Sequence, residues 1–280
     1  MREVHISKIT EMVKKLCIDA NYYLPEDVKK RLIKSKEEEQ FPVAKNIIDI
    51  LIENSDIADE ENRPMCQDTG MVVVFVEIGQ DIHVVGGGLE DAINEGVRQG
   101  YRDGSLRKSV VSDPLERVNT KDNTPAIIHY QIVKDDTLKI TVAPKGFGSE
   151  NMSQLKMLKP ADGLQGVKDF VLKVVKEAGP NPCPPIIVGV GIGGSFDKAA
   201  ILAKKALMRS TDVRNEKAYY ASLEEDLLKE INALGIGPQG FGGKTTALAV
   251  NVETYATHIA GLPVAVNINC HATRHMEAYL

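Results

Sequence analysis

Three cysteines stand where loop-like stretches meet apolar, strand-like runs. Cys66 opens Cys66-Gln67-Asp68-Thr69-Gly70 just before MVVVFVEIG, Cys183 lies among prolines in NPCPPIIV, and Cys270 ends the run VAVNINC. Cys66 and Cys183 are 117 positions apart, and Cys183 and Cys270 are 87 apart. Structural zinc sites show close cysteine pairs, so that spacing argues against one. Buried thiols, a catalytic cysteine, or metal ligands assembled only by the fold are the readings left. Structural cysteines sit more often inside helices and strands, whereas three thiolates at junctions could converge on a soft metal centre. An electron-transfer iron–sulfur cluster usually has four cysteine ligands. Three would leave one iron open, able to act as a Lewis acid toward a hydroxyl or carboxylate. Asp68-Thr69-Gly70 is also good turn chemistry, and on that stretch alone the turn reading prevails. Cys17 differs: it lies four residues after Val13 on a helical stripe and reads as a small buried side chain.

Two glycine motifs suggest other chemistry. GVGIGG (189–194) fits G-x-G-x-x-G through Gly189, Gly191 and Gly194, follows an apolar strand, precedes a helix, and has Asp212 eighteen residues beyond it. That fingerprint usually opens the first βαβ unit of its domain, and here nearly 190 residues come first. A strand-loop-helix turn presents N–H groups to any anion, a carboxylate included. A nucleotide-binding module on Gly189–Gly194 is therefore the alternative of a different class. GGKTT (242–246) lacks the glycine a P-loop needs five positions before Gly243, where Pro238 stands, and a strand-like run follows it.

The elements that must position these residues follow from periodicity. Ile6, Ile9, Val13, Leu16 and Ala20 predict a helix over about 4–20; Pro25, with Glu26 and Asp27 behind it, opens a second; and 42–58 gives a third. Strands are expected at about 71–78 and 82–85, then a helix at about 89–101 after the GGG break. AIIHYQIV (126–133) and LKITVAPK (138–145), joined by KDDT, read as a hairpin. Beyond them come helices at 163–178, about 196–208 and about 216–234, and strands at 186–190, 245–253 and 263–269. The fold class is α/β (mixed α+β), with a helical N-terminal part about 1–60 and a mixed α/β part about 61–280, read as a single domain over 1–280.

Composition sets limits on function. The 280 residues are 43% hydrophobic, with a net charge of −5 and no basic tract, which disfavours nucleic acid as a partner. The N-terminus lacks the apolar core of a signal peptide. No apolar run approaches the ~20 residues that span a bilayer. A cytoplasmic protein with reduced thiols is expected.

Longer motifs carry a resemblance. MCQDTG (65–70), SLRKSVVSDPLERVNT (105–120), PKGFGSENMS (144–153), NPCPPIIVGVGIGGSFDKA (181–199), GIGPQGFGGKTTALAVNVETYATHIAGLPVAVNINC (235–270) and HATRH (271–275) occur in order along essentially the whole chain. Together they resemble the α subunit of class I, iron–sulfur-dependent fumarate hydratases and of the similar L-tartrate dehydratases. The resemblance implies an Fe–S hydro-lyase α-type domain with a 4Fe-4S cluster on Cys66, Cys183 and Cys270. It implies substrate contacts from Gln67, Asp68, Arg107 and Gly146, and a functional histidine at His258. No departure is found at these positions.

On that basis Arg107 would clamp a substrate carboxylate with its planar fork. Asp68 and His258 would form an acid–base or orienting pair. Lys145 and Lys244 could add positive potential or be solvated surface lysines. His271 and His275 could belong to the cluster's surroundings, with a surface tail as the favoured reading. Ser149, Glu150 and Asn151 could cap a helix or bond near the cluster. The implied reaction is reversible hydration of fumarate to L-malate, a step of the tricarboxylic acid cycle, with L-tartrate dehydration as the alternative. A redox or iron-sensing role without turnover is a third class. A β subunit, in an α2β2 heterotetramer, would supply the remaining site residues, and the open iron would make the enzyme oxygen-sensitive.

Overall fold

The apolar stripes become helices and the apolar runs become strands in the computed structural model, which describes residues 2–280. In chain order the elements are β1 (Arg2–His5), α1 (Ile6–Tyr22), α2 (Glu26–Glu38), α3 (Pro42–Glu60), β2 (Met71–Gly79), β3 (Ile82–Val85), α4 (Leu89–Asp103), β4 (Ile127–Val133) and β5 (Leu138–Lys145). After these come α5 (Phe147–Glu150), β6 (Gln154–Leu158), α6 (Gly163–Ala178), β7 (Ile186–Gly193), α7 (Phe196–Ala206), α8 (Ala218–Asn232), β8 (Ala247–Tyr255), β9 (Leu262–Asn269) and β10 (Met276–Tyr279). The chain divides into two units: unit 1 holds the residues up to Leu24, Ser55–Phe147 and Arg274–Leu280, and unit 2 holds Pro25–Asn54 and Gly148–Thr273. The N-terminal helices are shared out, α1 to unit 1 and α2 to unit 2.

Unit 1 is built on a four-stranded sheet in the order β10-β5-β2-β4. Alternate residues of β2 point to opposite faces, and Val72, Val74 and Val76 form a core with Ile9 and Val13 of α1 and Ile93 and Val97 of α4. The hairpin expected of 126–133 and 138–145 does not form. β2 lies between the two strands, parallel to β4 and antiparallel to β5, with Val74 opposite both Ile128 and Val142. The physical reason is burial: β2 has five of its nine residues buried and none exposed and takes the centre, whereas β4 has Ile127, Tyr130 and Ile132 exposed and takes the edge. The expected surface tail is also corrected, because Met276–Tyr279 pairs antiparallel with β5 as β10.

Unit 2 has the sheet order β6-β9-β7-β8. Every residue of β7 is buried, as a central strand covered on both faces must be. Val188 and Val190 share a core with Val171 and Val174 of α6 and Leu227 and Ile231 of α8. Their neighbours Gly189 and Gly191 face α7. A Cβ on Gly189 would stand 2.1 Å from the Ala203 carbonyl oxygen, and one on Gly191 2.1 Å from that of Ala199. Two glycines of GVGIGG thus serve close strand–helix packing inside the sheet, which accounts for the spacing without a nucleotide.

Candidate active site

Unit 1 carries Cys66, Gln67, Asp68, Arg107 and Gly146. Cys66 is half-buried and Gln67 exposed, with the Cys66 thiol 3.8 Å from the Gln67 Oε1. The Asp68 carboxylate is held by two main-chain donors: Oδ1 accepts the Gly70 N–H at 3.1 Å and Oδ2 the Phe147 N–H at 3.0 Å. Gly146 admits that arrangement, since a Cβ there would lie 3.2 Å from Oδ2. Gly70 closes the turn at φ +75°, where a Cβ would come within 2.7 Å of the Lys145 backbone.

Residues far along the chain fasten this turn. The Thr69 hydroxyl donates to the Arg107 carbonyl at 2.9 Å, joining the turn to the predicted carboxylate clamp. The buried Tyr101 hydroxyl lies 2.5 Å from the Thr69 carbonyl and 3.1 Å from that of Gly70, and burial pushes its pKa up, so it remains a donor. Buried Asn123 donates to the Gly70 carbonyl at 3.2 Å and accepts the Ser109 N–H at 2.7 Å. Arg274 donates to the Asp68 carbonyl. The Arg107 guanidinium is exposed and makes no hydrogen bond or ion pair among the described residues. Lys145 is buried, with Nζ 3.3 Å from the Gly146 carbonyl, whereas Lys244 is exposed.

Unit 2 brings Cys183 and Cys270 to one end of its sheet. β7 and β9 are antiparallel, with Ile187 opposite Asn269, so the residues before β7 and after β9 meet. The His271 N–H donates to the Cys183 carbonyl at 3.3 Å. Gln239, in a left-handed conformation at φ 52°, gives both its main-chain N–H and its side-chain NH2 to the Pro184 carbonyl, each at 2.8 Å. That acceptor assigns the amide orientation; the Gln239 Nε2 lies 3.2 Å from the His271 Nδ1, which itself lies 3.0 Å from the Cys183 carbonyl. His271 is therefore part of the frame around the cysteines. The GGKTT loop beside it is held by the protein's own carboxylate: the Lys244 N–H reaches the Glu39 Oε2 at 2.7 Å and the Thr245 N–H reaches it at 3.3 Å. Glu150 accepts from Lys204 at 2.5 Å and from Asn267 of β9 at 2.8 Å, which makes it a brace of that strand.

His258 stands elsewhere in unit 2. It lies in the exposed turn between β8 and β9, where its Nδ1 accepts the Ala260 N–H at 3.1 Å. β9 runs from that turn to Cys270, a span of roughly 25 Å for eight extended residues. His258 shares an open depression with Gly194, Ser195, Lys198 and Tyr255.

The cysteines suit a soft metal centre. None is in a disulfide; Cys183 is exposed, and Cys66 and Cys270 are half-buried. Cys17, by contrast, is fully buried and its thiol is pushed up by that burial, which keeps it protonated and inert. Within either unit, among the described residues, no three His, Cys, Asp or Glu side chains gather into a metal-holding group. The three accessible thiols are divided between the units, Cys66 in unit 1 and the other two in unit 2. Sequence reasoning missed Tyr101, Asn123, Gln239 and Arg274, whose partners are distant in the chain. The Gln-Gly pair after Pro238 was the one local hint, as an unusual turn.

Among the described residues no helix is long and apolar enough to cross a membrane. Residues 10–279 match the family described as Fumarate hydratase (Fumerase). A protein of Methanocaldococcus jannaschii, provisionally named L(+)-tartrate dehydratase subunit alpha, is 46% identical over 275 residues, covering 95% of each chain. The L(+)-tartrate dehydratase subunit alpha of Escherichia coli strain UTI89 is 34% identical over 273 residues, 96% of this chain and 89% of that one. The strain K12 protein of the same name is 33% identical over the same length. With a match over nearly its whole length, and these relatives beside it, the chain belongs to the iron–sulfur-dependent fumarate hydratase and L-tartrate dehydratase family, of the α-subunit type.

Proposed function

We propose that this chain is the α subunit of a hydro-lyase that interconverts fumarate and L-malate, with Cys66, Cys183 and Cys270 as ligands of a 4Fe-4S cluster. The observation that carries the proposal is the Asp68 carboxylate, held by two main-chain N–H groups beside the side-chain-free Gly146 and two residues from Cys66. When bound, such a cluster supplies a Lewis acid at an incompletely ligated iron. The chain's own residues bind and orient. Arg107, exposed and without a carboxylate partner among the described residues, takes one carboxylate of the substrate in a two-pronged grip. The exposed Gln67 amide donates to a second substrate oxygen. Dehydration of malate takes a proton from carbon 3 and hydroxide from carbon 2, together one water. Asp68 is the proton-handling side chain beside Cys66; His258, a strand's length from Cys270 in the same chain, takes no proton-transfer step at this site, and a further base comes from a β subunit. The relatives are named as α subunits, which supports such a partner and an α2β2 assembly. Three accessible thiols suit a reducing compartment, so we place the enzyme in the cytoplasm.

A second reading has its own support: the relatives cited above are named for L(+)-tartrate, which carries one more hydroxyl than malate. The test is turnover of L-malate, fumarate and L-tartrate by the anaerobically assembled protein with its β partner, beside the α chain alone. Formation of fumarate from malate supports the first reading, and a kcat/KM at least about tenfold higher on L-tartrate supports the second. Full activity of the α chain alone contradicts the two-subunit reading. No hydration or dehydration of any of the three acids by an assembly holding intact cluster contradicts both.

A further inference from the structure

Arg274 is a buried cation that forms no ion pair among the described residues. It is 3% exposed. Its Nη2 donates to the Asp68 carbonyl, while Nε and Nη1 are buried without a hydrogen-bond partner among the described residues. Gly146 adjoins it, since a Cβ there would stand 3.8 Å from Nη2. Taking a guanidinium out of water with two of its nitrogens unpaired is costly. Satisfying one carbonyl needs only a neutral donor, which is far cheaper to bury. Such a cost is retained where the charge itself has a use.

We propose that Arg274 is a positioning residue for the reaction. It grips the carbonyl of Asp68 and so sets where the Asp68 carboxylate and the neighbouring Gln67 amide stand. Its positive charge forms no ion pair among the described residues but lies near the Asp68 carboxylate, whose position it helps to set. The proposal rests on the hydro-lyase reading above. A role limited to holding the fold would show as lost stability when the side chain is removed. A positioning role would show as lost turnover at unchanged or improved stability, because an unpaired buried charge has gone.

The experiment compares Arg274→Met, Arg274→Lys and wild type in the assembled, cluster-loaded enzyme on L-malate and L-tartrate. Iron and sulfide content is measured on the same samples, and the melting temperature on the cluster-free α chain. The expected result for Arg274→Met is a kcat about a hundredfold lower, the scale of a small misplacement of a reacting group. KM changes less than about threefold, since the residue acts on the transition-state geometry more than on uniform binding. Cluster content stays at the wild-type level and the cluster-free chain melts no lower than wild type. Arg274→Lys keeps the charge without the fork and recovers about tenfold of the loss. Wild-type kcat in Arg274→Met overturns the proposal. So does a lowered melting temperature in Arg274→Met with activity lost only in proportion to the folded protein. A wild-type assembly inert toward both acids would sink the hydro-lyase reading, and the proposal with it; that outcome differs from one in which wild type and Arg274→Met are equally active.

Discussion

His271 donates its main-chain N–H to the carbonyl of Cys183, at 3.3 Å. Because His271 follows Cys270, this bond and the contact of the His271 Nδ1 with the same carbonyl at 3.0 Å link the loops of two cysteines that are 87 positions apart in sequence. Gln239 reinforces the link from a third loop, spending both of its nitrogens on Pro184 and lying beside the His271 ring. The frame around the cysteines is thus made of backbone carbonyls, the Gln239 amide and the His271 ring.

Gln239 holds that frame from a left-handed conformation that side chains other than Asn and Gly adopt at a cost. Gln239→Leu loses the amide donors and keeps the backbone strain, and it is expected to lower unfolding stability by about 1–3 kcal/mol. Gln239→Gly loses the same donors but relieves the strain, so it falls short of the leucine variant's loss by roughly 1 kcal/mol. Urea unfolding of the two variants checks the order, and equal losses would contradict it.

Gly146 leaves room for the Asp68 carboxylate. A methyl group there would press on Oδ2 from 3.2 Å and shift it by a few tenths of an ångström. Gly146→Ala is expected to fold normally and to lose at least about tenfold in kcat, since small displacements at a reacting group are costly. A melting curve and steady-state kinetics on the assembled enzyme check both halves.

Gly191 separates the packing account of GVGIGG from a nucleotide account. In Gly191→Ala the new methyl group would meet the Ala199 carbonyl oxygen at 2.1 Å and the Ala203 nitrogen at 2.6 Å. Both are helix backbone and cannot swing aside, so a loss of at least about 3 kcal/mol is expected, at the upper end of overpacking costs. A variant that melts like wild type but loses affinity for a dinucleotide would favour the nucleotide reading instead.

Asp27 predicts an acid limb. Burial alone would raise its carboxyl, but the Thr211 N–H and the Ser210 and Thr211 hydroxyls overcome that and hold it below the ordinary value of 3.8. With the folded pKa below the unfolded one, the contribution is fully present above about pH 4 and fades as pH falls through the lower folded value. Wild type is therefore expected to lose stability to urea more steeply than Asp27→Asn as pH falls below about 4, since the variant has no such group to protonate. Identical pH slopes would contradict this.

Most helices and strands are legible in the sequence because their apolar periodicity is local. The short polar connection between β4 and β5 looks like a hairpin, and nothing local shows that β2 slots between them. What decides that is the burial of Val72, Val74 and Val76 against α1 and α4, which depends on residues at both ends of unit 1. The short edge strand β10 was unreadable for a similar reason: its four residues gain strand character only from β5. At the site, the types that do chemistry were legible as motifs. Their supports were not, since Tyr101, Asn123 and Arg274 reach the 68–70 turn across tens to hundreds of positions.

The central claim is that three widely spaced thiolates of this chain hold one inorganic centre. Anaerobic reconstitution followed by iron and sulfide counting, on wild type and on Cys66→Ser, Cys183→Ser, Cys270→Ser and Cys17→Ser, tests it most directly. The account predicts about four iron and four sulfide per wild-type chain, the content of a cubane cluster. It predicts the same for Cys17→Ser and a collapse of both counts in each of the other three variants. Undiminished iron and sulfide in any one of those three would contradict it.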